Sequence, residues 1–471
     1  MGAPMTEADL IVLGAGPAGM AAACQAAGAG LSVLVLDEQP RAGGQIYRDV
    51  ARAAALRGRI LGSDYTGGQA LVAALDHPLI AHLPGAVAWR VDPDGTVAFS
   101  RAGVAGMARG RRLLVATGAL ERPMPVPGWT LPGVMTAGAA QILLKASGVV
   151  AGDAVLAGSG PLLYLVAAQM VRAGTPPRAL VETQGTTDLL AAARHLPGAL
   201  AGWRMLAKGG ALLRELAGAG VPRFRGASAI AVEGADHATA ITFDCGGTRH
   251  RIPCSTVLLH HGVVPNTQVT RSLALAHDWD AAQRAFRPVR DGWGRTSLST
   301  VFVAGDGAGI GGAGVAALSG RLAALAIAHD LGRICAGDRD LAARPLRVRR
   351  ALDLAARPFL DRAFPPFRGA LAPDDATIIC RCEEVTAGDI RRHAALGTLG
   401  PNQAKAFSRA GMGPCQGRFC AASVAEILAA LQGTSPGRIG THRVRAPLKP
   451  VTLAEIAALA DDLPGPGPGA S

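Results

Sequence analysis

The chain contains 471 residues, of which 49% are hydrophobic and only 17% are charged, so it is not a disordered protein and is long enough for about two to four globular domains. Aromatic residues make up 4%, which leaves few surfaces on which bases could stack, and the formal net charge of +12 therefore does not indicate a nucleic-acid-binding protein. The uncharged run from Leu10 to Leu36 is long enough to span a membrane, but three glycines and a proline interrupt it near its start, so we predict no transmembrane segment.

The first predicted elements form a β-strand, α-helix, β-strand unit. A strand pattern at residues 10–13 precedes a helix pattern that runs to about residue 27, and a second strand pattern follows at 31–36. The turn after the first strand reads G-x-G-x-x-G, with the glycines Gly14, Gly16 and Gly19. Such glycines permit a tight turn, a close approach of the backbone to a pyrophosphate and close packing of helix on strand, while Asp37 at the end of the second strand can bind a ribose diol. We predict a dinucleotide site here rather than an apolar unit with incidental glycines.

Two later segments add to this site. A glycine-rich loop, which is either a second approach to the pyrophosphate or a simple turn, consists of Gly43, Gly44 and Gln45. Much later, residues 295–307 read as a buried strand that ends in Gly305 and Asp306, where a carboxylate can bind a ribityl hydroxyl and the next helix can point its N-terminus at a flavin ring. This pair of distant signals resembles the flavoprotein reductases with two dinucleotide-binding domains, in which the FAD domain is split in sequence. The resemblance implies FAD as the cofactor.

A second glycine-rich unit lies between these segments, with strand, turn, helix and strand patterns from residue 154 to residue 182. The turn contains Gly158 and Gly160, but Leu163 replaces the third glycine, so helix and strand cannot pack as closely. Glu182 ends the second strand, where it could bind a ribose 2′-hydroxyl and would repel the phosphate of NADP. No early arginine pair follows to receive that phosphate. The unit is interpreted as a site for a second nucleotide, either NAD or ATP/ADP, with a purely structural domain as the alternative.

Two segments resemble the hinges of this flavoprotein superfamily: residues 114–118, which end in Gly118, and residues 260–266. His260 and His261 could touch flavin or substrate, but at a strand end they are better explained as hydrogen-bonded structural residues. The hinges divide the chain into a first part of the FAD domain at 8–119, an inserted NAD(P)-like domain at 120–259 and a second part of the FAD domain at 260–338.

The most specific signal is a set of four cysteines: Cys380, Cys382, Cys415 and Cys420. Four thiolates can hold a [2Fe-2S] cluster, with glycines nearby to bring backbone N–H groups to the sulfurs, although a four-cysteine zinc site and free thiols are alternatives. A helix cap at Thr386 and a helix pattern at 421–431 predict a small helical fold. The segment from Gly411 to Cys420 closely resembles the bacterioferritin-associated-ferredoxin-like (BFD-like) domain, which favours the cluster and predicts such a domain at residues 376–435.

The rest of the C-terminal third is predicted to consist of a linker and a C-terminal tail. Residues 339–375 are predicted to be a linker and residues 436–471 a C-terminal tail, disordered after Leu463 because prolines and glycines dominate it. Four other cysteines lie outside any Cys-x-x-Cys pair and are expected to be inert: Cys24, Cys245, Cys254 and Cys335.

The split FAD domain, the segment at residues 131–141, the degenerate second glycine motif and the C-terminal cysteine domain together resemble the A subunits of opine oxidases, the B subunit of hydrogen cyanide synthase and the corresponding subunits of hydroxyproline or proline dehydrogenases. The resemblance implies that a partner flavoprotein similar to D-amino-acid oxidase removes hydride beside an amine, and that this chain passes the electrons on. By analogy it also implies a small ferredoxin-like subunit as a further partner and FMN at a subunit interface. We identify no acid–base pair or nucleophile beside the FAD motifs and assign no catalytic residue.

The predicted fold class is therefore α/β, with two Rossmann-like dinucleotide-binding domains, a split FAD domain and its inserted NAD-like domain, plus a small helical BFD-like [2Fe-2S] domain. The leading hypothesis is an electron-transfer subunit of a dehydrogenase for an opine, hydroxyproline, proline or glycine. The alternatives are a self-contained NADH-dependent flavoprotein reductase and a docking or redox-sensing module. With too few cysteines for a disulfide scaffold and no secretory signal, we expect a cytoplasmic protein that could meet the inner membrane peripherally through its electron acceptor.

Overall fold

The structure, a computed structural model, describes residues 5–459 and has the predicted α/β architecture. Its first segment forms most of a seven-stranded sheet and the helices beside it: β1 (Thr6–Leu13), α1 (Pro17–Gly28), β2 (Val33–Asp37), α2 (Val50–Leu61), α3 (Ser63–Thr66), α4 (Gly68–Ala73), β3 (Ile80–Pro84), β4 (Val87–Val91), β5 (Thr96–Arg101) and β6 (Val104–Val115). The strand order is β3-β2-β1-β6-β5-β4, and β1 lies parallel between β2 and β6. Residues 10–13 are apolar without alternation because this part of β1 is buried on both faces of the sheet.

A second sheet follows, reached through a two-stranded hinge. Its strands, helices and flanking hairpins are β7 (Ala119–Glu121), β8 (Val134–Thr136), α5 (Ala137–Ser147), β9 (Ala154–Gly158), α6 (Pro161–Arg172), β10 (Ala179–Glu182), α7 (Thr186–Ala193), α8 (Leu196–Ala199), a 3-10 helix (Leu200–Gly202), α9 (Trp203–Gly218), β11 (Arg223–Arg225), β12 (Ser228–Glu233), β13 (Ala240–Cys245), β14 (Thr248–Pro253), β15 (Thr256–His260) and β16 (Val263–Pro265). The sheet is parallel in the order β11-β10-β9-β15-β8, and β7 pairs with β16 antiparallel, so the chain leaves and re-enters the first sheet at one place.

The chain then completes the first sheet. The elements are α10 (Gln268–Ser272), β17 (His277–Asp280), β18 (Ala285–Pro288), β19 (Val301–Val303), a 3-10 helix (Gly305–Ala308) and α11 (Ala313–Asp330). Strand β19 pairs parallel with the C-terminal end of β6, which brings residues about two hundred positions apart into one sheet. Helix α11 packs on α1 through small residues, since a Cβ added at Gly320 would lie 2.0 Å from the Ala18 carbonyl oxygen.

The C-terminal third is more compact than the sequence predicts. Its elements are α12 (Ala336–Leu354), α13 (Arg357–Ala363), α14 (Arg368–Leu371), β20 (Ile378–Cys380), β21 (Val385–Thr386), α15 (Ala387–Ala395), α16 (Pro401–Ser408), α17 (Ala421–Leu431), α18 (Pro436–Ile439) and α19 (Leu453–Ala457). Residues 339–375, predicted to be a linker, are instead mostly helical. Leu346 packs against α11 and Phe367 enters the core of the inserted sheet, and the burial of these side chains favours docked helices over an extended connection.

The last described residues pack against the first sheet domain. Leu448 is buried in the core of that domain and its N–H donates to the Trp89 carbonyl over 2.6 Å. Lys449 pairs with Glu38 at 2.7 Å, next to the end of β2. The part of the predicted tail up to residue 459 is therefore anchored, whereas the disorder predicted after Leu463 concerns residues outside the described range.

Candidate functional site

The turn after β1 is shaped by glycines that no other residue could replace without movement. Gly14 has φ +106°, and a Cβ there would lie 2.7 Å from the Ala116 carbonyl oxygen. At Gly19 a Cβ would lie 1.9 Å from the Gly14 oxygen, so the helix can sit close to the strand only without a side chain. Helix α1 begins with Pro17 after Gly16, and its free N–H groups therefore face the end of the sheet, where an anion binds favourably.

The loop after β2 lies directly against this turn. Gly43 donates its N–H to the Ala15 carbonyl over 2.8 Å, and a Cβ at Gly44 would lie only 2.8 Å from the Gly16 Cα. The two glycine segments thus form one backbone cradle that a side chain would fill. In such a cradle the backbone of both glycine segments can contact a ligand, which fits a pyrophosphate.

Two carboxylates flank the cradle. Asp37 is 6% exposed and accepts hydrogen bonds from the N–H groups of Ala15 and Gln39, while burial raises its pKa. Among residues 5–459, the Asp306 carboxylate accepts hydrogen bonds through Oδ1 alone, from the N–H groups of Gly311 at 2.9 Å and Gly312 at 3.0 Å before α11. Each carboxylate oxygen has a further lone pair, so both side chains can still accept bonds from ligand hydroxyls.

The two hinge segments meet beside Asp306. A Cβ at Gly307 would lie 3.1 Å from the Gly118 carbonyl oxygen, and Asn266 donates its N–H to that same oxygen over 2.9 Å. Gly305 packs against α1, where its Cβ would lie 2.8 Å from the Ala18 Cβ. The fold therefore gathers the glycines and acids predicted from three distant parts of the sequence at one end of the first sheet.

The cradle is also braced from the inserted domain, by a residue that sequence reasoning missed. Lys145 on α5 is 3% exposed, and its Nζ donates to the Gln45 carbonyl at 3.2 Å and to Gln141 Oε1 at 2.8 Å. Gln141 in turn donates to Gln169, which donates to the Leu61 carbonyl, so a buried polar chain joins helices α5 and α6 of the inserted domain to the end of α2 in the first domain. Burial lowers the pKa of Lys145 to about 7. A lysine and a glutamine within a mostly apolar helix, Lys145 and Gln141, were the available signal.

The second glycine turn is arranged differently, because a histidine side chain covers it. A Cβ at Gly160 would lie 3.0 Å from Nε2 of His260, so the imidazole rests on the residue that should let a pyrophosphate approach. Its Nδ1 lies 2.6 Å from Oε1 of Glu121 on the hinge strand β7, which holds the ring in place. His261 points away and pairs with the Pro123 carbonyl, and burial lowers its pKa well below the usual value. Both rings have the hydrogen-bonded structural setting that the sequence favoured.

The acid of the second unit is already used by protein groups. Glu182 is 1% exposed, and its Oε1 accepts from the Tyr164 hydroxyl, from Gln184 Nε2 at 3.2 Å and from Arg223 at 2.8 Å. Arg225 lies 3.7 Å from the other oxygen. No arginine pair follows β10 early in the sequence, but both arginines of β11, about forty residues later, reach this strand end because β11 pairs with β10.

The four cysteines lie close enough to affect one another's pKa. Cys380 and Cys420 are each 1% exposed and belong to one hydrophobic cluster, Cys415 is partly exposed and Cys382 is exposed. Interactions with the Cys420 thiol and with the backbone N–H of Gly411 lower the pKa of the Cys380 thiol to about 6, whereas the interaction with Cys380 and burial raise the pKa of Cys420. In residues 5–459 no group of three or more His, Cys, Asp or Glu side chains is disposed to hold a single metal ion.

Glycine also makes room around these cysteines. A Cβ at Gly413 would lie 2.3 Å from the Cβ of Cys382, and Cβ atoms at Gly411 and Gly417 would lie 2.6 and 2.7 Å from the ring of His442. Helix α17 begins directly after Cys420, as predicted. Gly413 therefore lies against Cys382, whereas Gly411 and Gly417 lie against His442, and the approach of backbone N–H groups to the sulfurs at Gly413 and Gly417 stays a prediction.

Comparison with known proteins adds an independent view of the whole chain. The family described as pyridine nucleotide-disulphide oxidoreductase matches residues 8–330, and the sarcosine oxidase A3 domain matches residues 375–460. The A subunit of opine oxidase from Agrobacterium tumefaciens (strain Ach5) is 46% identical over 96% of this chain and 92% of its own length. Hydrogen cyanide synthase subunit HcnB of Pseudomonas aeruginosa is 32% identical over 95% of this chain and 98% of its own length.

A solved structure shares the fold over nearly the same extent. L-proline dehydrogenase from P. horikoshii superposes with a TM-score of 0.72 at 18% identity, covering 96% of this chain and 80% of that one. Among the described residues, no helix is both long and apolar enough to cross a membrane. The relatives are thus subunits of oxidising enzymes, and the likeness extends through the C-terminal third.

Proposed function

The chain belongs to the pyridine nucleotide-disulphide oxidoreductase family and, within it, to a group that includes the A subunit of opine oxidase, and from this premise we propose that it is the electron-transfer subunit of a multi-subunit amino-acid dehydrogenase. It is a FAD-dependent oxidoreductase, and its relatives are subunits of heteromeric oxidases. The proposed substrate class is an opine, hydroxyproline, proline or glycine. Its amine is oxidised in a partner subunit similar to D-amino-acid oxidase, and a small ferredoxin-like subunit is a further candidate partner.

The observation that carries this proposal is the occupied second glycine turn. A nicotinamide dinucleotide needs the space over Gly160 for its pyrophosphate and a free carboxylate at the end of β10 for its ribose. The His260 side chain occupies the space over Gly160, and the Glu182 carboxylate is already bonded to Tyr164 and Arg223. Opening the site would cost the buried hydrogen bonds of Glu182, so electrons from NADH are disfavoured as the source and a partner subunit is favoured. A second nucleotide such as NAD or ATP/ADP would bind only after these side chains move.

For FAD, the residues of the first unit fit the cofactor. The backbone at Gly14, Gly16 and Gly44 would receive the pyrophosphate, Asp37 would bind the ribose of the adenosine half and Asp306 would bind a ribityl hydroxyl. When bound, the flavin supplies exchange between two-electron and one-electron transfer. The chain's own part is to hold the cofactor and to orient it. Lys145, through the Gln45 carbonyl, keeps the loop of the cradle against the inserted domain.

For the cysteines, the proposal is a two-iron cluster rather than a zinc ion. Four thiolates can serve the two irons of a [2Fe-2S] cluster or a single zinc ion. Four neighbouring thiols, two of them buried, would supply the ligands, and the resemblance of the segment from Gly411 to Cys420 to the BFD-like domain favours the cluster. The backbone N–H of Gly411 beside Cys380 is the kind of donor that tunes the potential of such a cluster.

An anaerobic titration of the full-length flavoprotein with NADH tests the proposal, with the flavin absorbance as the readout. We expect no bleaching at stoichiometric NADH, while dithionite bleaches the same sample. Stoichiometric bleaching by NADH would contradict the proposal and establish the alternative, a self-contained NADH-dependent reductase. The complementary arm mixes the chain with its co-expressed partner subunit and screens amino acids of the proposed class for flavin reduction.

A further inference from the structure

A cavity of about 70 Å³ lies where four parts of the chain meet: the β16–α10 turn, the β17–β18 hairpin, the loop between Cys415 and Cys420, and residues 441–444. One buried water needs about 10–15 Å³ of such space, so the cavity can hold a larger ligand. None of the residues that we assign to FAD and none of the four cysteines lines it, although part of its wall is the loop between Cys415 and Cys420. The walls contain cationic and hydrogen-bonding side chains, and some of their polar atoms have no partner among the described residues.

Arg271 is the cation of the cavity, and it has no acidic partner in the described part of the chain. Its Nε donates to Thr267 Oγ1 over 3.0 Å, and its guanidinium stacks on the Phe286 ring at 4.8 Å. No carboxylate lies within 4 Å of this guanidinium in residues 5–459, unlike the guanidinium groups of Arg223, Arg284 and Arg357. Burial alone lowers its pKa, to about 10, so the group stays charged at neutral pH. Arg271 is partly buried, and a charge withdrawn from water without a counter-charge is costly, so a bound anion would reduce that cost.

His442 and Gln416 add unused hydrogen-bonding atoms. His442 is 4% exposed, and neither ring nitrogen has a hydrogen-bond partner among the described residues. Gln416 donates its amide N–H to the Pro447 carbonyl over 2.5 Å, which fixes its orientation and leaves the buried Oε1 without a donor. Buried polar atoms nearly always have a hydrogen-bond partner. The unpaired atoms of His442 and Gln416 therefore indicate a bound ligand, or an ordered water held by such a ligand.

The other charged groups of the wall are already engaged. Arg284 forms a two-bond pair with Glu426, the acid on the neighbouring helix α17. Arg418 donates to the backbone carbonyls of Cys415 and Leu448. Neither arrangement provides an anion for Arg271, and the cavity therefore carries net positive charge.

We propose that this cavity is a binding site for a small oxyanion, the carboxylate or phosphate group of a ligand no larger than an amino acid. The Arg271 guanidinium and an N–H of His442 would donate to its oxygens, and Gln416 Oε1 would accept from an amine N–H of the ligand or from a bridging water. The bonds to the oxyanion would be charge-assisted, which are the stronger kind. The proposal does not rest on the proposed electron-transfer function, although the cavity adjoins the cysteine loop through Gln416 and His442.

The test is calorimetric titration of the full chain with sodium phosphate, sodium acetate and glycine. We expect saturable binding of at least one of them, weakened at least tenfold by Arg271→Gln. The matched control is Arg287→Gln, which removes the same charge from the neighbouring hairpin but outside the cavity, and which should bind like the unaltered chain. Tightest binding of phosphate would identify a phosphate ligand, and tighter binding of glycine than of acetate would identify an amino acid with its N–H group on Gln416.

A second measurement needs no variant. The unfolding temperature of the unaltered chain should rise with the bound anion at constant ionic strength and should not rise with methylammonium chloride. The proposal is overturned if none of the three ligands binds, if methylammonium stabilises the chain equally, or if Arg271→Gln binds as tightly as Arg287→Gln.

Discussion

Replacing Gly44 with alanine should weaken FAD binding without unfolding the protein. Gly44 has φ +61°, a conformation that costs a residue with a side chain about 1–2 kcal/mol. The new Cβ would also lie 2.8 Å from the Gly16 Cα, closer by about 1 Å than carbon atoms normally approach. The cradle must widen to relieve this contact, so the dissociation constant for FAD should rise at least tenfold, equivalent to about 1.4 kcal/mol.

The matched control is Gly30→Ala in the same β-α-β unit. Gly30 has φ +79° and nothing within 4 Å of the added Cβ, so this variant carries the conformational cost alone. Gly30→Ala should lose roughly 1–2 kcal/mol of unfolding free energy and Gly44→Ala at least as much, measured by chemical denaturation of the flavin-free chain. Only Gly44→Ala should lose FAD, measured by flavin-to-protein ratio and by titration of the flavin-free chain. Equal FAD affinity in the two variants would refute the reasoning that the two glycine loops form one cradle.

Three further outcomes are expected. Cys382→Ser should abolish bound iron and its visible absorption, whereas Cys335→Ser, an isolated exposed thiol, should retain them; iron in both variants would exclude the cysteine assignment. Burial lowers the pKa of Lys145 to about 7, so between pH 7 and about 10 the unfolded chain binds more protons than the folded chain. The unfolding free energy should therefore rise with pH in this window, and it should rise less in Lys145→Met. Arg284→Met should lower the unfolding free energy by about 2 kcal/mol, measured by chemical denaturation. This loss is smaller than the roughly 3–5 kcal/mol expected for breaking a fully buried ion pair, because Arg284 is partly exposed. Adding Glu426→Met should recover part of the lost unfolding free energy.

Local patterns predicted the elements of the glycine units well. The strands at 10–13 and 179–182 and the helix at 421–431 are all confirmed, because each is a buried apolar run or a helix with clear boundaries in the sequence. The failure at residues 339–375 has an equally clear cause. Prolines and clustered arginines suggested a linker, but Pro345 lies inside α12 and the burial of Leu346 and Phe367 stabilises the helices there.

The properties of the second unit could not be read from sequence. Glu182 ends its strand as a ribose-binding acid should, yet its partners Tyr164 and Arg223 come from a helix and from a distant strand. His260 likewise covers Gly160 only because β15 pairs with β9 in the parallel sheet. Whether a strand-end carboxylate is free or already bonded depends on which strand becomes its neighbour, and a glycine motif contains no information about that.

The sequence by itself determined the β-α-β units, the glycines and acids of the proposed FAD cradle and the four clustered cysteines, because these depend on residue type at short, regular spacing. Only the tertiary structure decided that His260 lies on the second glycine turn, that two of the four cysteines are buried and that Arg271 is partly buried with no acid beside it in residues 5–459. These features depend on contacts between residues far apart in the chain, and the free energy of a buried charge or hydrogen bond is set by the partners that the fold brings to it.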